Sequence, residues 1–130
     1  TMRDLTSGKA IVRSQGGVVL DEFAAPLPDI ALLKPRDDYY ADRNPGAADI
    51  LLIVEVANTS LEYDLTVKRD MYAITGIMEY WVADLTNNAL LVHTNPAGDC
   101  YQTVRELHRG ERIAPLLLPS CEIPVDLLLP

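Results

Sequence analysis

The sequence predicts an α/β domain in which a mixed central sheet is flanked by helices. Three observations carry this reading. Asp49 to Val56 is nearly continuous apolar sequence, the pattern of a strand buried on both faces. Residues from about Tyr63 to Thr75 follow a helical period instead. Glu79 to Leu85 and Ala89 to Thr94 then flank Asn87-Asn88, residue types that accept positive φ at a hairpin turn. Strands, one helix and strands again describe a mixed sheet with helical cover.

The other elements follow in order. Lys9 to Arg13 and Val18 to Leu20 read as short strands separated by a Gly16-Gly17 turn. Asp29 to Lys34 comes after the proline-rich approach Pro26-Leu27-Pro28 and reads as a further strand. Pro35 to Ala48 is a polar loop carrying Asp37, Asp38, Asp42, Asn44, Pro45 and Gly46. Gly76 is the expected stop of the helix. Tyr101 to Leu107 is one more strand. The tail after Arg112 holds Pro115, Pro119, Pro124 and Pro130, so it is expected to be extended and irregular.

At 130 residues, 48% of them hydrophobic, the chain reads as a single domain over 1–130 with a substantial core. Its longest apolar runs fall short of the roughly 18–20 residues of a membrane span. No basic-then-apolar signal segment opens it, so a soluble, cytoplasmic protein is expected. Cys100 and Cys121 lack metal-type spacing and read as unlinked thiols. Asn58-Thr59-Ser60 matches a glycosylation acceptor, a chance match in a cytoplasmic chain. The net charge of -8 argues against a protein that holds nucleic acid through a broad basic surface. It leaves room for a carboxylate-rich metal site, which is acidic until the ion binds.

Three residues stand in surroundings that a plain core does not explain. Glu55 ends the run Ile50-Leu51-Leu52-Ile53-Val54, and alternation places it on one face with Leu51 and Ile53. An ionised carboxylate there costs several kcal/mol unless it is paired or binds a metal. A strand ending at Val54 would instead release Glu55 to solvent, but Val56 continues the apolar pattern. On the helix, Leu65, Val67, Met71, Tyr72 and Ile74 span an apolar arc that also contains Asp64, Lys68 and Thr75. Thr66, Arg69, Asp70 and Ala73 take the opposite side. A lysine aimed at the sheet needs an anion, and Glu55 is the obvious one; the plain alternative is a surface pair with Asp64 one turn earlier. Asp29 follows Pro28 at the start of its strand, where a turn residue is the ordinary reading. Together, two carboxylates can bind Mg²⁺ or Mn²⁺, and a neighbouring lysine can orient water or balance charge growing on a phosphate.

Other features carry less. Asp37, Asp38 and Asp42 fail the spacing of a calcium loop and read as a solvated acidic loop. His93 and His108 read as ordinary surface or strand residues, and Tyr72, Tyr80 and Trp81 as core packing. No Gly-rich phosphate loop, nucleophile elbow or zinc spacing occurs.

In order, Pro28-Asp29, Glu55-Val56, Tyr63-Asp64 with Lys68 and Tyr72, Gly76-Ile77 and Glu79-Tyr80-Trp81-Val82-Ala83-Asp84 form a set. That set resembles the Uma-two family of endonucleases, within the PD-(D/E)xK restriction-endonuclease-like superfamily. The resemblance runs from about Val18 to the C-terminus. It implies a restriction-endonuclease-like mixed sheet flanked by helices, Asp29 and Glu55 as metal ligands, and DNA as substrate. The superfamily places its lysine two residues after the acid, where this chain has Ala57; the family resemblance moves that role to Lys68 on the helix. Family members usually begin with a helical segment, for which this chain starts too late.

The function expected is metal-dependent hydrolysis of phosphodiester bonds in DNA. Asp29, Glu55 and Lys68 would be catalytic, with Asp64 and Tyr72 behind them. The rival is a catalytically silent binding or assembly module on the same fold. A missing front helix and a proline-punctuated apolar tail would leave sheet surface uncovered, so a two-fold homodimer is expected. A monomer in light scattering at micromolar concentration would count against it.

Overall fold

Ile50–Ala57 forms β3, and every residue of it except Val56 is buried. A strand so apolar on both faces must be covered on both sides, and the fold is arranged around that requirement. The computed structural model describes residues 2–14, 16–20, 26, 28–58 and 61–129. It opens with a single helical turn, α1 (Met2–Leu5), followed by β1 (Ile11–Ser14) and β2 (Ile30–Leu33). After β3 come α2 (Leu61–Tyr63), a π-turn over Asp64–Lys68, and α3 (Arg69–Ile74). Then follow β4 (Glu79–Asp84), β5 (Ala89–Ala97) and β6 (Cys100–His108).

Six strands form one sheet in the order β1-β2-β3-β4-β5-β6. Only β3 and β4 pair in parallel; the other neighbours are antiparallel. A parallel pair needs a crossover, and the helical segment from Leu61 to Ile74 supplies it. Gly76 ends that crossover at φ +84, a backbone conformation that glycine adopts without strain. The β4–β5 turn is the expected one, with Asn88 at φ 53. Asp84 holds it by accepting the Thr86 and Asn87 N–H groups, each at 3.1 Å.

The two sheet faces carry separate cores. Ile53 and Ala57 of β3 and Tyr80 and Val82 of β4 meet Tyr72 and Ala73 of α3 on the helical face. Leu52 and Val54 join Trp81, Ala83 and Leu90 on the other face, which the chain's own tail covers. That tail is more ordered than its prolines suggest. A two-stranded ribbon, β7 (Arg112–Ile113) with β8 (Ile123–Pro124), precedes a 3₁₀ turn at Val125–Leu127. Ile123, Val125 and Leu129 are fully buried. Each such side chain contributes roughly 1.5–3 kcal/mol, which is reason enough for the tail to dock. Buried Glu79 fastens it, accepting Leu116 N–H at 2.8 Å and Trp81 Nε1–H at 2.8 Å.

The structure corrects several expectations. Val18 to Leu20 forms no strand; Val19 makes an isolated parallel bridge with Gly46. Leu51 does not share a face with Glu55. The β2–β3 register shifts between Leu32 and Leu33, and Leu51 turns to the tail face. On the helix Val67 and Ile74 are exposed and Ala73 is buried, because the π-turn changes the winding on which the arc was drawn. His93 is a strand residue but a buried one, with Nδ1 3.0 Å from the Tyr80 carbonyl. The tail covers the sheet face that was expected to stay open; Leu116, Leu117 and Leu127 remain exposed on it. Cys100 and Cys121 are free thiols. Leu27, Thr59 and Ser60, which belong to the proline-rich approach and the acceptor pattern, lie outside the described residues. No helix among the described residues is long and apolar enough to cross a membrane.

Candidate active site

The site forms where β2 begins and β3 ends. The antiparallel register pairs Ile30 with Val54, so the next residue pair outward is Asp29 with Glu55. Opposite residues of an antiparallel pair lie on one face of the sheet. Two bonds close this end of the ladder. Asp29 donates its N–H to Glu55 Oε1 at 2.9 Å, and Val56 donates its N–H to Asp29 Oδ2 at 2.8 Å. The carboxylates thereby take over the work that main-chain carbonyls do elsewhere in the sheet.

Glu55 shares its face with Ile53 and is only 1% exposed. Its second oxygen meets the helix. Lys68 donates from Nζ to Glu55 Oε2 at 2.9 Å, and Tyr72 donates its hydroxyl to the same oxygen at 3.1 Å. Lys68 Nζ also lies 3.5 Å from Asp64 Oδ1, one turn earlier, and 5.8 Å from the Tyr63 ring centroid. Asp64 is itself 2% exposed, whereas the Lys68 side chain keeps 27% of its surface open to solvent. Lys68 therefore faces the sheet; it also pairs with Asp64, but not as the surface bridge of the plain alternative, because Asp64 is buried.

Burial pushes the Glu55 carboxyl above its ordinary value. The Asp29 N–H and Lys68 oppose this, while the charge of Asp29 adds to it. Burial alone would lower the Lys68 ammonium. The hydrogen bond and charge of Glu55, joined by Asp64, outweigh it and hold the group above its usual range. Burial, then Glu55, raises the Tyr72 phenol. Lys68 is therefore a stable cation and Tyr72 a stable donor.

The structure brings together all five residues singled out from the sequence: Asp29, Glu55, Lys68, Asp64 and Tyr72. One was missed. Tyr80, read as packing, donates its hydroxyl to the Asp64 carbonyl at 2.9 Å. A tyrosine in an apolar strand gives no signal of this, although its hydroxyl must find a partner once buried.

A hard divalent cation suits this donor set. Glu55 Oε1 and Asp29 Oδ2 each accept one N–H, and a carboxylate oxygen has two lone pairs. Lone pairs therefore remain on both carboxylates. Among the described residues no group of three or more His, Cys, Asp or Glu side chains could hold an ion. A cation here would have two protein carboxylates and keep its other positions for water or substrate, the habit of Mg²⁺. Two surface cavities of about 250 and 360 Å³ open beside Gly8, Ile11 and Tyr39, and no site residue lines either. The donor chemistry, not the cavity size, marks the site.

The Uma2 model, described as "Putative restriction endonuclease", matches residues 2–126. The chain belongs to the Uma2 family. A solved structure described as "a putative nuclease belonging to DUF820 from Anabaena variabilis ATCC 29413" superimposes with a TM-score of 0.71. That likeness covers 98% of this Uma2 chain and 73% of the Anabaena chain at 12% identity, and it establishes the shared fold. The search of curated proteins finds no match.

The site makes the domain sensitive to alkali. Tyr72 and Lys68 titrate above their ordinary values of 10.0 and 10.5, and burial raises Tyr80 and Tyr101 as well. A group whose folded pKa is raised contributes stability that is complete below its unfolded pKa and lost as the pH rises through the folded one. Denaturant unfolding followed from about pH 9 to about pH 11.5 is therefore expected to show a steep loss of stability above about pH 10. A flat profile across that range would contradict the burial and pairing described here.

Proposed function

We propose that this Uma2 chain is a metal-dependent endonuclease hydrolysing phosphodiester bonds in DNA. The observation that carries the reading is the three-way convergence on Glu55: Asp29 on one oxygen, and Lys68 with Tyr72 on the other. A buried carboxylate bonded to a second acidic residue, with a charged lysine beside it, is more than a strand end needs for packing.

Asp29 and Glu55 would hold Mg²⁺ or Mn²⁺ through their remaining lone pairs. When bound, such an ion polarises the phosphodiester and lowers the pKa of a bound water. Lys68 stays protonated, so it acts as a donor: it orients the attacking water and balances charge developing on the phosphate. Asp64, 3.5 Å from Nζ, also keeps the Lys68 ammonium in place. Tyr72 fixes the Glu55 carboxylate in one orientation. The acidic chain holds DNA at the site itself and not through a basic surface, since its net charge is -8. A homodimer in the cytoplasm fits this reading, with Leu116, Leu117 and Leu127 as the apolar side chains available for a two-fold contact.

A second reading has one observation in its favour. Lys68, Tyr72 and the Asp29 N–H already satisfy Glu55 without any ion, as a silent module on the nuclease fold would require.

Plasmid nicking with Mg²⁺ or Mn²⁺ separates the two. The parent is expected to nick DNA, and Lys68→Met to lose that activity while remaining folded. Removing one member of a buried pair costs about 3–5 kcal/mol when the other charge is left uncompensated; the Asp29 N–H, the Tyr72 hydroxyl and uptake of a proton by Glu55 lessen that cost, and circular dichroism checks that Lys68→Met is folded. Glu55→Ala is expected to lose Mn²⁺ binding in a calorimetric titration. Cleavage by Lys68→Met at the parent's rate would remove the mechanism. A parent that neither cleaves nor binds Mn²⁺ would establish the silent module.

A further inference from the structure

The helical crossover from Leu61 to Ile74 does not keep one winding. Asp64–Lys68 is wound as a π-turn, between the α-helical segments α2 and α3. In a regular α-helix a step of four residues advances the side chain by about 40°. Asp64 and Tyr72 would then point about 80° apart, with Lys68 between them. A π-turn has more residues per turn and takes part of that rotation back. Asp64, Lys68 and Tyr72 are thereby drawn towards one line, and Lys68 and Tyr72 both reach Glu55 Oε2.

This winding has a local cost. Beyond the π-turn, Arg69 N–H turns back to the Thr66 carbonyl and leaves the α-helical pattern. π-turns inside helices are rare, and here a group outside the helix bonds one. That group comes from β4. Tyr80 Oη donates to the carbonyl of Asp64, the first residue of the π-turn, at 2.9 Å. Its ring is wholly buried, 4.9 Å from the Tyr72 ring and 5.4 Å from the His93 ring. His93 Nδ1 engages the Tyr80 carbonyl behind it. The hydroxyl is aimed at the π-turn by packing on every side.

We propose that Tyr80 is a positioning residue of the nuclease site: its hydroxyl pins the π-turn, and the π-turn sets Lys68 on Glu55. The Tyr80 hydroxyl donates to the Asp64 main-chain carbonyl, so its hydrogen bond reaches Lys68 through the π-turn. Its effect on cleavage rests on the endonuclease reading above; its effect on the placement of Lys68 does not.

Tyr80→Phe keeps the ring and removes the donor. Its crystal structure is expected to show residues 64–68 rewound towards an α-helix, with Lys68 Nζ out of salt-bridge reach of Glu55. Plasmid nicking with Mn²⁺ is expected to lose kcat on the order of tenfold to a hundredfold, the cost of displacing a catalytic group by about 1 Å. KM for DNA and Mn²⁺ binding are expected to stay at the parent's values. Incorporating 4-aminophenylalanine at position 80, which restores a donor at the same place, is expected to restore both geometry and kcat. If Tyr80→Phe does not fold, 4-fluorophenylalanine fills the hydroxyl's space without donating and carries the same readings. A hydroxyl-free variant that keeps the π-turn and the Lys68–Glu55 contact overturns the proposal, whether or not the parent cleaves DNA. A parent without nuclease activity defeats the endonuclease reading and leaves the crystal structure to judge Tyr80. An active parent matched in kcat by the hydroxyl-free variant also overturns the proposal.

Discussion

A carboxylate that is 1% exposed is the constraint on which this structure turns. Glu55 cannot be hydrated where it lies, and an unpaired charge there would cost several kcal/mol. Three elements answer that demand. The entry to β2 offers the Asp29 N–H, the π-turn offers Lys68, and α3 offers Tyr72. Satisfying one buried charge thus ties the antiparallel half of the sheet to the crossover helix.

Glu79 shows that a buried carboxylate need not become a reactive site. It is as deeply buried as Glu55, and burial likewise pushes its carboxyl above the ordinary range. Its oxygens take N–H groups from Trp81 and Leu116, both neutral. That arrangement fastens the tail to the sheet. At Glu55 the partners include an ammonium and the backbone of a second acidic residue, whose own carboxylate faces the same end of the ladder. The two differ in their hydrogen-bond donors: Glu79 has only neutral ones and feels Arg105 through its charge alone, whereas Glu55 is bonded by the Lys68 ammonium.

Much of this was legible before any coordinates, because it follows from local pattern. Glu55 stands out in an apolar run, and Lys68 falls among Leu65, Met71 and Tyr72 at any reasonable helical period. The strand and hairpin signals of β3, β4 and β5 are equally local. What escaped notice depends on contacts distant in sequence. A β-bulge turns Leu51 to the tail face, and nothing in its neighbours announces that. The π-turn exposes Val67 and buries Ala73 against a period of 3.6. Tyr80 is a strand aromatic by every local measure, and its role appears only once the Asp64 carbonyl lies above it. The prolines of the tail forbid long strands but not the docking of Ile123, Val125 and Leu129.

The central claim is that Asp29 and Glu55 form one site for a divalent cation with Lys68 at its edge. Anomalous diffraction from Mn²⁺-soaked crystals tests it most directly. The account predicts one peak bridging the two carboxylates, with ligand bonds of about 2.0–2.2 Å and Lys68 still on Glu55 Oε2. Crystals in which Mn²⁺ occupies other sites and leaves this pair without a peak would contradict it.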